Sequence, residues 1–77
     1  MSKTKDFSYE IVEDLGVISV GEKGWTKRLR IVKWGDNKPT YDIRNWKEDN
    51  KKIYMSKGIT FTKEELKVLS NLIKGVI

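Results

Sequence analysis

Cysteine and histidine are both absent from this chain of 77 residues, and proline occurs only once. Without cysteine there is no disulfide, and without either residue the usual zinc ligands are gone. The catalytic repertoire shrinks with them. There is also no glycine-rich phosphate loop and no spaced set of metal carboxylates, so most nucleophilic, acid–base and metal mechanisms lack their parts. A non-enzymatic protein with no cofactor and no small-molecule substrate is therefore expected. No apolar run approaches the roughly 20 residues that span a bilayer. The opening segment Met1-Ser2-Lys3-Thr4-Lys5-Asp6 lacks the hydrophobic stretch of a secretory signal, so the expectations are no membrane partner and a cytoplasmic location.

What the chain has in excess is positive charge. Lys and Arg number 16 against 11 Asp and Glu, a net charge of +5, which favours a polyanionic partner. The length fits one domain, read as residues 7–77 behind a flexible N-terminal segment at 1–6. A domain this small buries a modest share of its surface. With disulfides and zinc excluded, oligomerisation is the remaining route to extra stability.

Phe7 to Val20 is rich in β-branched and aromatic residues and suits a long strand. Phe7, Tyr9 and Ile11 hold odd positions while Ile18 and Val20 hold even ones, so a bulge or turn near Asp14-Leu15-Gly16 has to shift the register. Gly21 to Gly24 reads as a turn, and Trp25 to Trp34 as the second strand. Gly35-Asp36-Asn37-Lys38-Pro39 is dense in turn formers and makes a hairpin to a third strand, Thr40 to Trp46. A polar loop is expected from Lys47 to Lys52, then a short fourth strand around Lys57 to Phe61. Thr62-Lys63-Glu64-Glu65 has the form of a capping box, after which Leu66, Leu69, Leu72 or Ile73, and Val76 recur at helical spacing.

The fold class read from this order is α+β: a four-stranded curved antiparallel sheet followed by one C-terminal helix, ββββα. One helix covers one face, and alternation assigns it Leu29, Ile31, Tyr41 and Ile43. The opposite face then carries Arg28, Arg30, Trp34, Arg44 and Trp46. Cations beside bare rings on an open sheet suit single-stranded nucleic acid: the cations neutralise phosphates, and the rings stack on unpaired bases for about 1–3 kcal/mol each. Duplex DNA hides its base faces, and every base can stack, so little sequence preference is expected.

The candidate binding residues are Lys27, Arg28, Arg30, Lys33, Trp34, Lys38, Arg44, Trp46 and Lys57. Each has a plainer reading. Trp46 is a core residue if the register slips by one, and Trp34 could cap the core edge at a hairpin shoulder. Trp25 shares the parity of Leu29 and suits burial or a subunit contact. Arg44 could form a structural ion pair with Asp42. The basic run through Lys27, Arg28, Arg30, Lys33 and Lys38 could be a solvated face. Leu66, Leu69, Leu72, Ile73 and Val76 suit a core or a subunit interface.

At Tyr41-Asp42-Ile43-Arg44-Asn45-Trp46, then Lys57-Gly58-Ile59-Thr60 and Lys63-Glu64-Glu65-Leu66, the chain resembles the positive cofactor 4 family of transcriptional coactivators, above all its small bacterial branch, the YdbC-type proteins. The likeness covers about residues 26 to 73. It implies a ββββα protomer, a homodimer formed through helices and sheets, and single-stranded DNA lying across the curved sheets. It also implies that Arg44 and Lys57 contact the strand's backbone and that Trp46 is the aromatic beyond the third strand, with Trp34 near the family's hairpin aromatic. The Ser-rich acidic tail of the eukaryotic members is missing, so phosphorylation control is not carried over. The partner expected is single-stranded DNA in transcription, replication or repair. RNA is the alternative polymer, an extended acidic peptide on the sheet edge the alternative class, and duplex bending a remoter one.

Overall fold

A computed structural model describes residues 8–77; the expected flexible segment 1–6 and the strand start at Phe7 lie outside the described residues. Among the described residues five strands, β1 (Tyr9–Val20), β2 (Thr26–Trp34), β3 (Thr40–Asp49), β4 (Lys52–Met55) and β5 (Ile59–Phe61), precede one helix, α1 (Lys63–Lys74). All pairings are antiparallel, in the order β1-β2-β3-β4, with β5 also on β3. The ββββα order therefore holds, with the fourth lane in two pieces. β4 pairs with the far end of β3 (Trp46↔Met55) and β5 with its near end (Tyr41↔Phe61).

The polar loop expected at Lys47 to Lys52 is instead a hairpin. β3 runs on to Asp49, which pairs with Lys52 across the two-residue turn Asn50-Lys51. Both turn residues have positive φ, +50° and +66°, the left-handed pair of a type I′ turn whose twist matches the flanking strands. The fourth strand expected from Lys57 starts only at Ile59. Ser56 bridges the break between β4 and β5: its N–H donates to the Asn45 carbonyl at 3.0 Å, and its Oγ accepts from the Asn45 N–H at 3.1 Å.

The register shift foreseen near Asp14 is the middle one of three. β1 slips against β2 between Ile11 and Glu13, between Asp14 and Gly16, and between Val17 and Ser19. Each slip is a bulge, which bends its strand and raises the local twist. Gly16, at φ +153°, occupies backbone space that other residues rarely adopt.

The sheet consequently curls. Tyr9 lies opposite Trp34 and Trp46 opposite Thr26, eight residues away along β2, which is about 26 Å at the usual strand rise. Yet the Tyr9 ring lies 5.6 Å from Trp34 and 5.9 Å from Trp46 between centroids. Only a sheet rolled towards this face brings such distant rings together. The face of Arg28, Arg30, Trp34, Arg44 and Trp46, expected to be open, is the concave side and holds the core. Val32 and Asp42 are fully buried there, and Trp46 is 3% exposed.

The helix covers less than expected. Its capping box is present, with Thr62 N–H donating to Glu65 Oε1 at 2.8 Å and Glu65 N–H to Thr62 Oγ1 at 3.1 Å. Leu66 and Leu69 are half-buried, but no residue of α1 is fully buried. Leu29, Ile31, Tyr41 and Ile43, on the other face, are also only half-buried. Curvature closes one side of the sheet more completely than one short helix closes the other.

A non-glycine residue at positive φ costs of order 1 kcal/mol. Replacing Lys51 by glycine, which gives the turn its preferred Asn-Gly pair, is expected to stabilise the fold by about 0.5–1 kcal/mol. Chemical denaturation of Lys51→Gly beside the parent checks this.

Candidate nucleic-acid interface

Two guanidinium groups lie over two indoles inside the curl. Arg30 Cζ is 4.6 Å from the centre of the Trp46 ring, and Arg44 Cζ is 4.5 Å from that of Trp34. Such cation–π contacts gain strength as they lose water. Both indoles also meet Tyr9, so neither is the bare stacking platform expected from alternation alone.

Each arginine is also tied to a carboxylate. Arg44 grips Asp42 with two hydrogen bonds of 2.7 Å, Nε to Oδ1 and Nη2 to Oδ2. The structural ion pair weighed for Arg44 is thus present, and it is deep, with the Asp42 side chain fully buried and that of Arg44 13% exposed. Arg44 Nη1 additionally donates to the Ser56 carbonyl at 3.3 Å. Arg28 and Arg30 share the more open Asp14, at 2.7 Å and 3.1 Å. Burial pushes the Asp14 carboxyl up, but the hydrogen bonds and charges of Arg30 and then Arg28 outweigh it and hold the group below its ordinary value of 3.8.

Between these groups opens a cavity of about 340 Å³, lined by Thr26, Arg28, Arg30, Trp46, Lys47 and Ile53 among others. The buried Trp46 Nε1 makes no hydrogen bond to any described residue. A buried donor left unpaired is costly.

Of the nine candidate residues, the curl collects Arg28, Arg30 and Trp46 in the cavity and stacks Arg44 on Trp34. Lys27 and Lys33 belong by register to the other face, and the Lys33 ammonium donates to the Gly35 carbonyl at 2.8 Å. Lys38 is exposed in the β2–β3 turn, and Lys57 is exposed in the break between β4 and β5. Sequence reading missed Thr26 and Lys47 as cavity walls and Asp14 as the anchor of two arginines. Asp14 was legible only as a bulge residue, because alternation signals one shift near it and not the separate slip between Ile11 and Glu13 that brings it opposite Arg30.

Gly58 ties Lys57 to this site. A Cβ there would meet the Arg44 side chain, 2.7 Å from its Nε, and the Ile43 carbonyl oxygen at 2.6 Å, so the chain can pass Arg44 only as glycine.

A family model described as Transcriptional Coactivator p15 (PC4) matches residues 21–72. An uncharacterized protein of Treponema pallidum (strain Nichols) is 35% identical over 71 residues, which span 92% of this chain and 81% of that protein. The matched region runs from the β1–β2 turn to the third turn of α1 and takes in every wall of the cavity from Gly24 onwards.

Gly58→Ala forces Arg44 or the β3 backbone to move and is expected to cost about 1–3 kcal/mol. Equilibrium denaturation measures the loss. A change in Trp emission is expected with it, because Arg44 would shift from Trp34.

Proposed function

The chain belongs to the Transcriptional Coactivator p15 (PC4) family, and from that premise we propose that it binds single-stranded DNA, with little sequence preference, along the concave face of its sheet. Membership itself points to a non-enzymatic, nucleic-acid-binding or coactivator-type function. The observation that carries the finer reading is the cavity, whose walls include Arg28, Arg30 and Lys47 with Thr26, Trp46 and Ile53. Cations for phosphate beside a wall for a base are the two halves of a nucleotide site. At about 340 Å³ the cavity lies at the small end of ligand sites, which run to roughly 1,000 Å³. It suits one unstacked nucleotide and not a duplex.

In this reading the phosphates run over Arg28 and Arg30, while a base lodges in the cavity against Thr26 and Ile53. Arg44 and Trp34 hold the curl beneath the strand, and Lys38 and Lys57 meet the phosphates further out. Lys27 and Lys33, on the far face, act through the field alone. The protein works in the cytoplasm in transcription, replication or repair.

The working unit we propose is a homodimer. The described residues include only two buried apolar side chains, Val32 and Trp46. Val68, Leu72 and Ile73 of α1 are 57%, 66% and 43% exposed, beside an apolar groove of about 460 Å³ floored by Ile59 and Phe61. A domain with so small a core gains most by burying that stripe against the same stripe of a second copy.

Titration of a labelled oligonucleotide at several salt concentrations tests the binding reading. Single strands are expected to bind more tightly than duplex of equal length. Arg30→Ala is expected to weaken binding and, with one phosphate fewer neutralised, to flatten the salt dependence by about 0.7 in log–log slope. Equal or better affinity for duplex overturns the reading, and a matched RNA competitor decides between the polymers. For the dimer, light scattering is expected to give twice the chain mass for the parent and the chain mass for Leu72→Glu.

A further inference from the structure

Asp14 is held from three directions. Its Oδ1 accepts the Gly16 N–H at 3.1 Å, and its Oδ2 accepts both Arg28 Nη1 at 2.7 Å and Arg30 Nε at 3.1 Å. These arginines are two of the cations in the cavity wall. An oxygen that draws N–H groups from two guanidinium ions at the mouth of a groove stands where a phosphate oxygen would stand. We propose, resting on the single-strand reading above, that Asp14 is a built-in rival to phosphate: an internal anion that occupies Arg28 and Arg30 in the free protein and has to give them up when a strand binds.

The two carboxylates of the concave face differ in the way this role requires. Asp42 is fully buried and gripped by both hydrogen bonds of one guanidinium, so an incoming anion cannot reach it. The Asp14 side chain is 33% exposed and its arginines are 28% and 15% exposed, so the pairs are weak enough to exchange. The bulge supplies the rest. Gly16, with its positive φ, turns its amide back onto Oδ1, so the carboxylate keeps one hydrogen bond after the arginines leave. The arrangement lowers affinity below what the arginines alone would give, and it keeps both guanidinium groups aligned until phosphate arrives.

Asp14→Asn removes the charge while keeping an oxygen for the Gly16 N–H, and Asp14→Ser does the same with a shorter side chain should the first variant melt. Glu13→Gln is the control, a neighbour whose register position opposite Ile31 puts it on the other face. Each protein is titrated with a labelled single-stranded oligonucleotide and, separately, with inorganic tripolyphosphate, and its fold is checked by thermal melting. Neutralising Asp14 is expected to tighten oligonucleotide binding at low salt by about three- to tenfold. The salt dependence should steepen by about 0.7 for each phosphate gained. The control should match the parent.

Folded Asp14 variants that bind no tighter than the parent overturn the proposal. A control that gains as much also overturns it, since the effect is then one of net charge. If the parent binds no single strand, the functional reading falls by itself. In that case a gain in tripolyphosphate binding by the Asp14 variants alone upholds the rivalry, and no gain ends it.

Discussion

A carboxylate shut away from water has to be matched by a cation, and in this fold the match is Asp42 with Arg44. The pair spans neighbouring positions on one face of β3, and the same guanidinium lies on Trp34 of β2 and reaches the Ser56 carbonyl between β4 and β5. Three lanes of the sheet are thereby fixed to one charge. Removing either partner of such a buried pair leaves the other uncompensated, typically at a cost of about 3–5 kcal/mol. That dependence accounts for Gly58, whose missing side chain lets the edge lane pass the arginine. It also explains why a buried carboxylate is retained in so small a core.

The curl gives the basic residues their meaning. On a flat sheet Arg28, Arg30, Arg44, Trp34 and Trp46 would stand apart and face water. Rolled inward, they interleave, ring against guanidinium, and the cations are already partly neutralised by Asp14 and Asp42. The formal charge of +5 therefore overstates what the concave face offers an incoming polyanion. The remaining lysines, spread over both faces and the turns, supply the longer-range attraction.

Much of this was legible in the sequence. Turn formers between Trp34 and Thr40 gave the central hairpin, Thr62 and Glu65 gave the helix start, and odd–even counting grouped the arginines with the tryptophans. Which side of the sheet is concave was not legible. Alternation assigns residues to faces but carries no sign of curvature, which here arises with two bulges that only pairing reveals, beside the one that Gly16 betrays. The β3–β4 hairpin was hidden because Lys47 to Lys52 has no β-branched or aromatic residue and only Ile53 and Tyr54 mark the short β4, whose pairing is imposed by the Asn50-Lys51 turn. Lys47 and Asp14 were missed for these reasons, one in a supposed loop and the other in a supposed kink.

The slips along β1 bear on one more matter. A sheet margin of 12 residues, rich in valine and isoleucine, is the kind of template on which foreign strands zip up into fibrils. Here Val12, Leu15 and Ile18 each fall out of the ladder, so the margin is interrupted at every third residue. No straight foreign segment could zip along it for more than a few bonds before meeting a bulge, which blunts the outer strand as a template.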